Sequence, residues 1–243
     1  LDTNGLVVRG PVALPADGSG GPPTVADFDG DGEPEIGVAN RAFYSVYDTD
    51  LTLLWSNETH DFSSSITGSS AFDFDGDGAS EVVYADEVDV WVWDGRTGDV
   101  VHRGTGHASA TQVEYPVVAR LVVDGPPMIV VGSNTLITDG WNGITALSDV
   151  GRSWVPTRGV WNQHAFVPTQ VDDGVNMIAQ PEPPWAVGQG FRQNEVVTAP
   201  GVPTPNLGVE PHGVCFDACP ETVRVRLRVA NSGHGAGPLQ VAV

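Results

Sequence analysis

The sequence predicts an all-β protein built from repeated short-stranded units, and three observations carry that prediction. An acidic segment recurs at a fixed interval. The runs between its copies alternate apolar and polar residues, the period of a strand. Gly (30) and Pro (19) punctuate the 243-residue chain densely. No window of 11 or more residues shows a helical period free of them.

The repeat comes first. Val25-Ala-Asp-Phe-Asp-Gly-Asp-Gly-Glu-Pro-Glu-Ile36 recurs as Ala71-Phe-Asp-Phe-Asp-Gly-Asp-Gly-Ala-Ser-Glu-Val82, so that Asp27 moves to Asp73, a step of 46. A third copy, Val118-Ala-Arg-Leu-Val-Val-Asp-Gly-Pro-Pro-Met-Ile129, aligns without a gap. It keeps Asp124-Gly125 but carries Arg120, Val122 and Met128 where the first has Asp27, Asp29 and Glu35. A fourth step lands near Phe166, where only Asp172-Asp173-Gly174 hints at a related turn. Periods of roughly 20–50 residues mark solenoids, propellers and arrays.

Within each unit the strands follow in order. An apolar run follows the acidic loop: 36–39, 82–85 or 129–131. An alternating run comes next, Phe43–Tyr47 or Val88–Trp93, then a turn such as Asp94–Gly98. A last strand begins at Leu51 or Asp99, and Trp55 and Trp154 fall at similar offsets in units one and three. Four short strands per unit is the content of one β-propeller blade. About four units fit, so residues 1–198 are expected to be an incomplete β-propeller region. A closed ring takes four to eight blades, and a chain that starts without Met and ends abruptly fits a fragment of a longer polypeptide.

Residues 199–205 form a Pro-rich linker, stiff and extended. Beyond it, Val223-Arg-Val-Arg-Leu-Arg-Val229 alternates perfectly, as a strand buried on one face does. Residues 206–243 are expected to begin an immunoglobulin-like β-sandwich, which needs about seven strands to close. An open edge on Val223–Val229 would recruit another strand, giving self-assembly through this C-terminal module.

The acidic loops carry the chemistry. Asp27, Asp29 and Asp31 stand at loop positions 1, 3 and 5, Gly32 at 6 and Glu35 at 9; Asp73, Asp75, Asp77, Gly78 and Glu81 repeat this. Such carboxylates repel one another unless a cation sits among them. The backbone carbonyls of Glu33 and Ala79, at position 7, add an oxygen to each set. All-oxygen coordination suits Ca²⁺, one ion per loop. An EF-hand is excluded: position 12 is Val38 or Tyr84 rather than Glu, and no helices flank the loops.

Asp-x-Asp-Gly-Asp-Gly-x-x-Glu before an apolar strand resembles the calcium loop of the FG-GAP (integrin α-type) β-propeller repeat, over about residues 20–170. The stretch after the linker is similar to CARDB-type adhesion modules. Both resemblances imply a secreted or cell-surface protein. The expected role is a calcium-stabilised structural or adhesive one, with extracellular protein or glycan partners.

Residues 154–166 are the densest aromatic stretch. Two readings stand. Arg158, Trp161, Asn162 and His164 line a sugar pocket, as a carbohydrate-binding (lectin-like) propeller would have. Or the stretch is an aromatic core with a hydrogen-bonded histidine. Some propellers are polysaccharide lyases, but only Arg158 and His164 offer the pair such chemistry needs, and no nucleophile elbow, P-loop or zinc-protease helix occurs. The chain is therefore expected not to be an enzyme. Cys215 and Cys219 are expected to form a local disulfide, since a zinc site with His212 lacks a fourth ligand.

Charge narrows the partners. Eleven Arg, no Lys and 31 acidic residues give a net charge of −20, which opposes nucleic acid and anionic membranes. No run approaches the roughly 18 apolar residues of a membrane span.

Overall fold

The computed structural model describes residues 4–17, 19–64, 67–111, 114–151, 153–187, 190–197, 207–218 and 222–231, the last two segments, Trp185 and Val187 by backbone alone. The chain divides into two units, Leu1–Val197 and Thr198–Val243.

The first unit begins with two four-stranded antiparallel meanders. One comprises β1 (Thr24–Ala26), β2 (Glu35–Asn40), β3 (Phe43–Tyr47) and β4 (Leu53–Glu58). The other comprises β5 (Ser70–Phe72), β6 (Glu81–Ala85), β7 (Asp89–Trp93) and β8 (Val100–Thr105). The repeat is exact in register: Ala26 faces Glu35 and Phe72 faces Glu81, so each acidic loop spans the same hairpin. A third sheet comprises β9 (Val117–Ala119), β10 (Met128–Ser133) and β11 (Gly143–Leu147). Ala119 faces Met128 there, the hairpin position expected of the degraded copy.

Period-two alternation explains the layering. Val82 and Tyr84 of β6 join one core with Ala26, Phe28, Tyr44, Trp55 and Trp93. Val83 and Ala85 join another with Phe72, Phe74, Val92, Val118 and Ile129. Successive side chains of one strand thus face opposite cores. β6 is buried on both faces and reads as a near-continuous apolar run after Glu81, whereas β8 at the sheet's edge is largely exposed. Tyr44, Trp55, Tyr84 and Trp93 pack with ring centroids 5.3–6.1 Å apart. Each such buried ring is worth roughly 1.5–3 kcal/mol or more of transfer energy.

Of the expected units, the first two are four-stranded sheets and the later two depart from that pattern. The third unit has three strands, not four: after β11 the chain turns inward, and Trp154 packs on Phe74 instead of standing on a fourth strand. The fourth unit forms no sheet among the described residues. Residues 156–197 carry two 3₁₀ turns, Pro168–Gln170 and Pro184–Val187, and isolated bridges. Pro156, Pro168, Pro181, Pro183 and Pro184 remove the ladder donors a sheet would need. The described residues form no closed ring.

Residues 190–197 lace the three sheets together instead. Phe191 exchanges backbone bonds with Val25, Ala71 N–H donates to Arg192 O, and Asn194 N–H donates to Ala71 O. The Asn194 amide donates to Val118 O at 2.8 Å. One segment therefore touches the first strand of each of these three sheets.

In the second unit, β12 (Leu207–Ala218) pairs antiparallel with β13 (Thr222–Asn231). β13 contains the expected strand Val223–Val229. An immunoglobulin-like sandwich is not formed by these two strands, and the linker, Cys219 and residues 232–243 lie outside the described residues, as does the side chain of Cys215.

Candidate metal centre

The two acidic loops fold the same way because the same residues make the same local bonds. Asp27 accepts from Gly30 N–H (2.6 Å) and Gly32 N–H (3.0 Å); Asp73 accepts from Gly76 and Gly78 N–H at the same distances. These glycines have φ between +78° and +93°, a region costly for residues with a Cβ. Asp31 and Asp77 cap the N–H groups of Glu33 and Ala79. Glu35 and Glu81 reach back from the first position of β2 and β6 to accept from Phe28 N–H (2.6 Å) and Phe74 N–H (2.8 Å).

Carboxylate oxygens of Asp27, Asp29 and Glu35 lie within 4.8 Å of one another, as do those of Asp73, Asp75 and Asp77. Asp31 and Glu81 stand outside those tight sets. Burial, then the neighbouring Asp29 and Asp27 charges, pushes Glu35 up to about 7 against the pull of two backbone N–H groups. Burial, with Asp75 and Asp73 adding to it, pushes Glu81 up to about 8. Asp73 is also raised, chiefly by burial. Burial thus disfavours the free carboxylate at these positions, and a hard divalent cation fits this oxygen donor set.

One partner escaped sequence reasoning. Arg96, on the β7–β8 turn, donates Nε–H to Asp29 O of the first loop (2.8 Å) and Nη1–H to Asp77 of the second. Gly95 beside it is wedged between the loops: a Cβ there would meet Ser80 O at 2.2 Å and Phe28 O at 2.3 Å. Ser80 N–H donates to Asp27 O (2.8 Å). The loops are neighbours across a sheet boundary, which no local spacing discloses.

The aromatic stretch resolves differently for each of its members. Arg158 is buried, with its guanidinium on Pro168 O (3.0 Å), Val171 O and the Asp173 carboxylate (2.8 Å). Trp161 stacks on Phe166 at 4.8 Å and His164 on Tyr115 at 4.4 Å; Asn162 is exposed. The cation among these rings is Arg192, 2 % exposed, over Tyr115 at 4.5 Å and Trp161 at 5.9 Å. Its guanidinium donates to Ser69 O and His164 O, both at 2.6 Å. Burial pushes it down to about 10. Its distance in sequence from those partners hid it.

Fold and loops together define an all-β protein of antiparallel meanders with a paired acidic centre. No family model matches the chain, and no curated protein matches it. Among solved structures the chain is similar to the biofilm matrix protein Bap1 of V. cholerae, at 27 % identity and a TM-score of 0.63. The likeness covers 68 % of this chain and 28 % of that one, so the chain spans under a third of its neighbour's length. Among the described residues no helix is long and apolar enough to cross a membrane.

Proposed function

We propose that this chain is part of an extracellular structural and adhesive protein whose sheets are stapled by two calcium ions. The observation that carries the role is the likeness to a biofilm matrix protein over two thirds of the chain. Asp27, Asp29, Asp31, Glu35 and the Glu33 carbonyl would hold one ion; Asp73, Asp75, Asp77, Glu81 and the Ala79 carbonyl the other. Calcium would supply charge neutralisation and tie each loop to the strand that follows it. At millimolar calcium and a dissociation constant of ~10–100 μM, each site adds roughly 1.4–2.7 kcal/mol to the folded state. The FG-GAP relationship belongs to the same reading, supported by the repeated loop and its hairpin register.

The proposed role is non-catalytic. The Arg158 guanidinium is spent on backbone carbonyls and Asp173, while His164 stacks on Tyr115. Partners are extracellular protein or glycan; a net charge of −20 disfavours nucleic acid and other polyanions.

Calorimetric calcium titration of chelator-stripped protein tests the staple: two sites with a raised melting temperature are expected, and no heat at either loop overturns it. Retention of protein-coated beads on exopolysaccharide films tests the role. Retention no greater than that of an equally acidic control protein would sink it.

A further inference from the structure

Among the described residues the third sheet lacks the outer strand that β4 and β8 provide in its neighbours, and the reason is local. Past β11, Asp149 accepts from Gly151 N–H (2.8 Å) and from Ser153 N–H and Oγ–H, which turns the chain back on itself. The chain then heads inward: Trp154 packs on Phe74 at 4.5 Å and Val155 N–H donates to Phe74 O at 2.8 Å. Beside this turn lies an open cleft. It is a cavity of about 390 Å³ between Val101 of β8 and Leu147 of β11, floored by Phe74 and Trp154. That size falls in the range of small-ligand sites, about 300–1,000 Å³.

We propose that this cleft binds a neutral pyranose unit of a glycan. The chemistry of its walls selects that class. The floor is aromatic and aliphatic, suited to the C–H face of a sugar ring. The polar rim presents the acceptors Ser148, Asp149 and Ser153, with His102 as a ring N–H donor. Ser148 spends its hydroxyl hydrogen on Pro127 O (3.2 Å) and Ser153 spends its own on Asp149 (2.8 Å), leaving oxygen lone pairs toward the cleft. Asp149 is held below the usual carboxylate range by the Ser153 and Gly151 donors, so it stays ionised. An ionised, acceptor-rich rim recruits hydroxyl donors and repels carboxylate, sulfate and phosphate. No arginine among the described residues lines the cleft. A ligand with one C–H face and a belt of hydroxyl donors satisfies both surfaces. The site gives the proposed adhesive role a partner class and rests on that reading; because its floor residue Phe74 lies in the second acidic loop, with its N–H on Glu81, binding is measured in calcium throughout.

Saturation-transfer NMR on the full chain tests it, with methyl glucoside, galactoside and mannoside against methyl glucuronide. At least one neutral glycoside is expected to receive saturation at its ring C–H protons, with affinity about millimolar, and the glucuronide none. Trp154→Ala removes the floor. Val101→Glu places a charge in the cleft from a residue 57 % exposed, so its melting temperature should match the parent's. Each variant should weaken binding about tenfold or more. Saturation by no neutral glycoside, equal saturation by the glucuronide, or signals unchanged in Val101→Glu would overturn the assignment. Each of those results leaves the calcium titration standing as a separate question.

Discussion

Replacing Glu81 by Gln should move stability in opposite directions with and without calcium. Glu81 is 6 % exposed and accepts from Phe74 N–H at 2.8 Å, a bond the Gln carbonyl can keep. Without a cation, burial and the Asp75 and Asp73 charges lift its pKa from 4.5 to about 8. A folded-state value above the unfolded one stabilises fully below the unfolded pKa, and that contribution is lost as pH rises through the folded pKa. The metal-free protein should therefore lose stability between about pH 4.5 and 8. At about 1.4 kcal/mol per pKa unit the cost at pH 7 is at most about 3 kcal/mol, reduced to about 1–2 by water at the exposed Asp75 and around the part-exposed Asp73. The Gln variant escapes that cost. Its melting temperature in chelator should rise by about 2–8 °C, at roughly 2–4 °C per kcal/mol for a unit of this size. In millimolar calcium the variant forfeits the linkage of one site, about 1–3 kcal/mol, and should melt below the parent. Scanning calorimetry at pH 7 in chelator and in calcium decides the matter. A shift of the same sign in both buffers would refute the reasoning, leaving Glu81 as a plain hydrogen-bond acceptor.

Three further outcomes are expected. Gly95→Ala should cost about 3 kcal/mol or more in denaturant melts, because its Cβ would sit 2.2 Å from Ser80 O; Gly132→Ala, with nothing within 4 Å, should stay within about 1 kcal/mol. Arg192→Met should destabilise the fold by about 2–4 kcal/mol in denaturant melts at unchanged slope, since it removes the buried donors to Ser69 O, Ser70 Oγ and His164 O and the cation over Tyr115. His107 is buried, with Nδ1 on Ser133 Oγ at 3.0 Å and Nε2 unpartnered; burial holds its pKa below 6.5 although Asp86, Glu114 and Asp89 pull the other way. Its contribution is present above pH 6.5 and lost as pH falls through the lowered value, so His107→Gln should flatten the acid side of the stability curve in calcium-loaded protein.

Much of the frame was legible in the chain. The step of 46 set the hairpin register of the first two sheets, because both acidic loops and both flanking strands are local and repeat residue for residue. The third hairpin was legible in degraded form. The fourth unit was not. Asp172-Asp173-Gly174 resembles the repeat, but Asp172 caps Asn176 N–H and Asp173 pairs with the buried Arg158, so this exposed turn makes a different set of bonds. Offset alone also misplaced Trp154. Its match to Trp55 held in number, yet Asp149 turns the chain before a fourth strand can form.

By itself the sequence determined the all-β class, the acidic loops and the strands that alternate around them, since these rest on spacings of two to nine residues. Only the tertiary structure decided which loops adjoin and which arginine bridges them. It alone placed Arg192 among Ser69, Ser70 and His164 and set Gln193 against Ser80, pairings 28 to 123 residues apart. Local hydrogen bonds and side-chain period are written into neighbouring residues. Contacts across a hundred residues depend on how the sheets pack, and no short window of the chain records that.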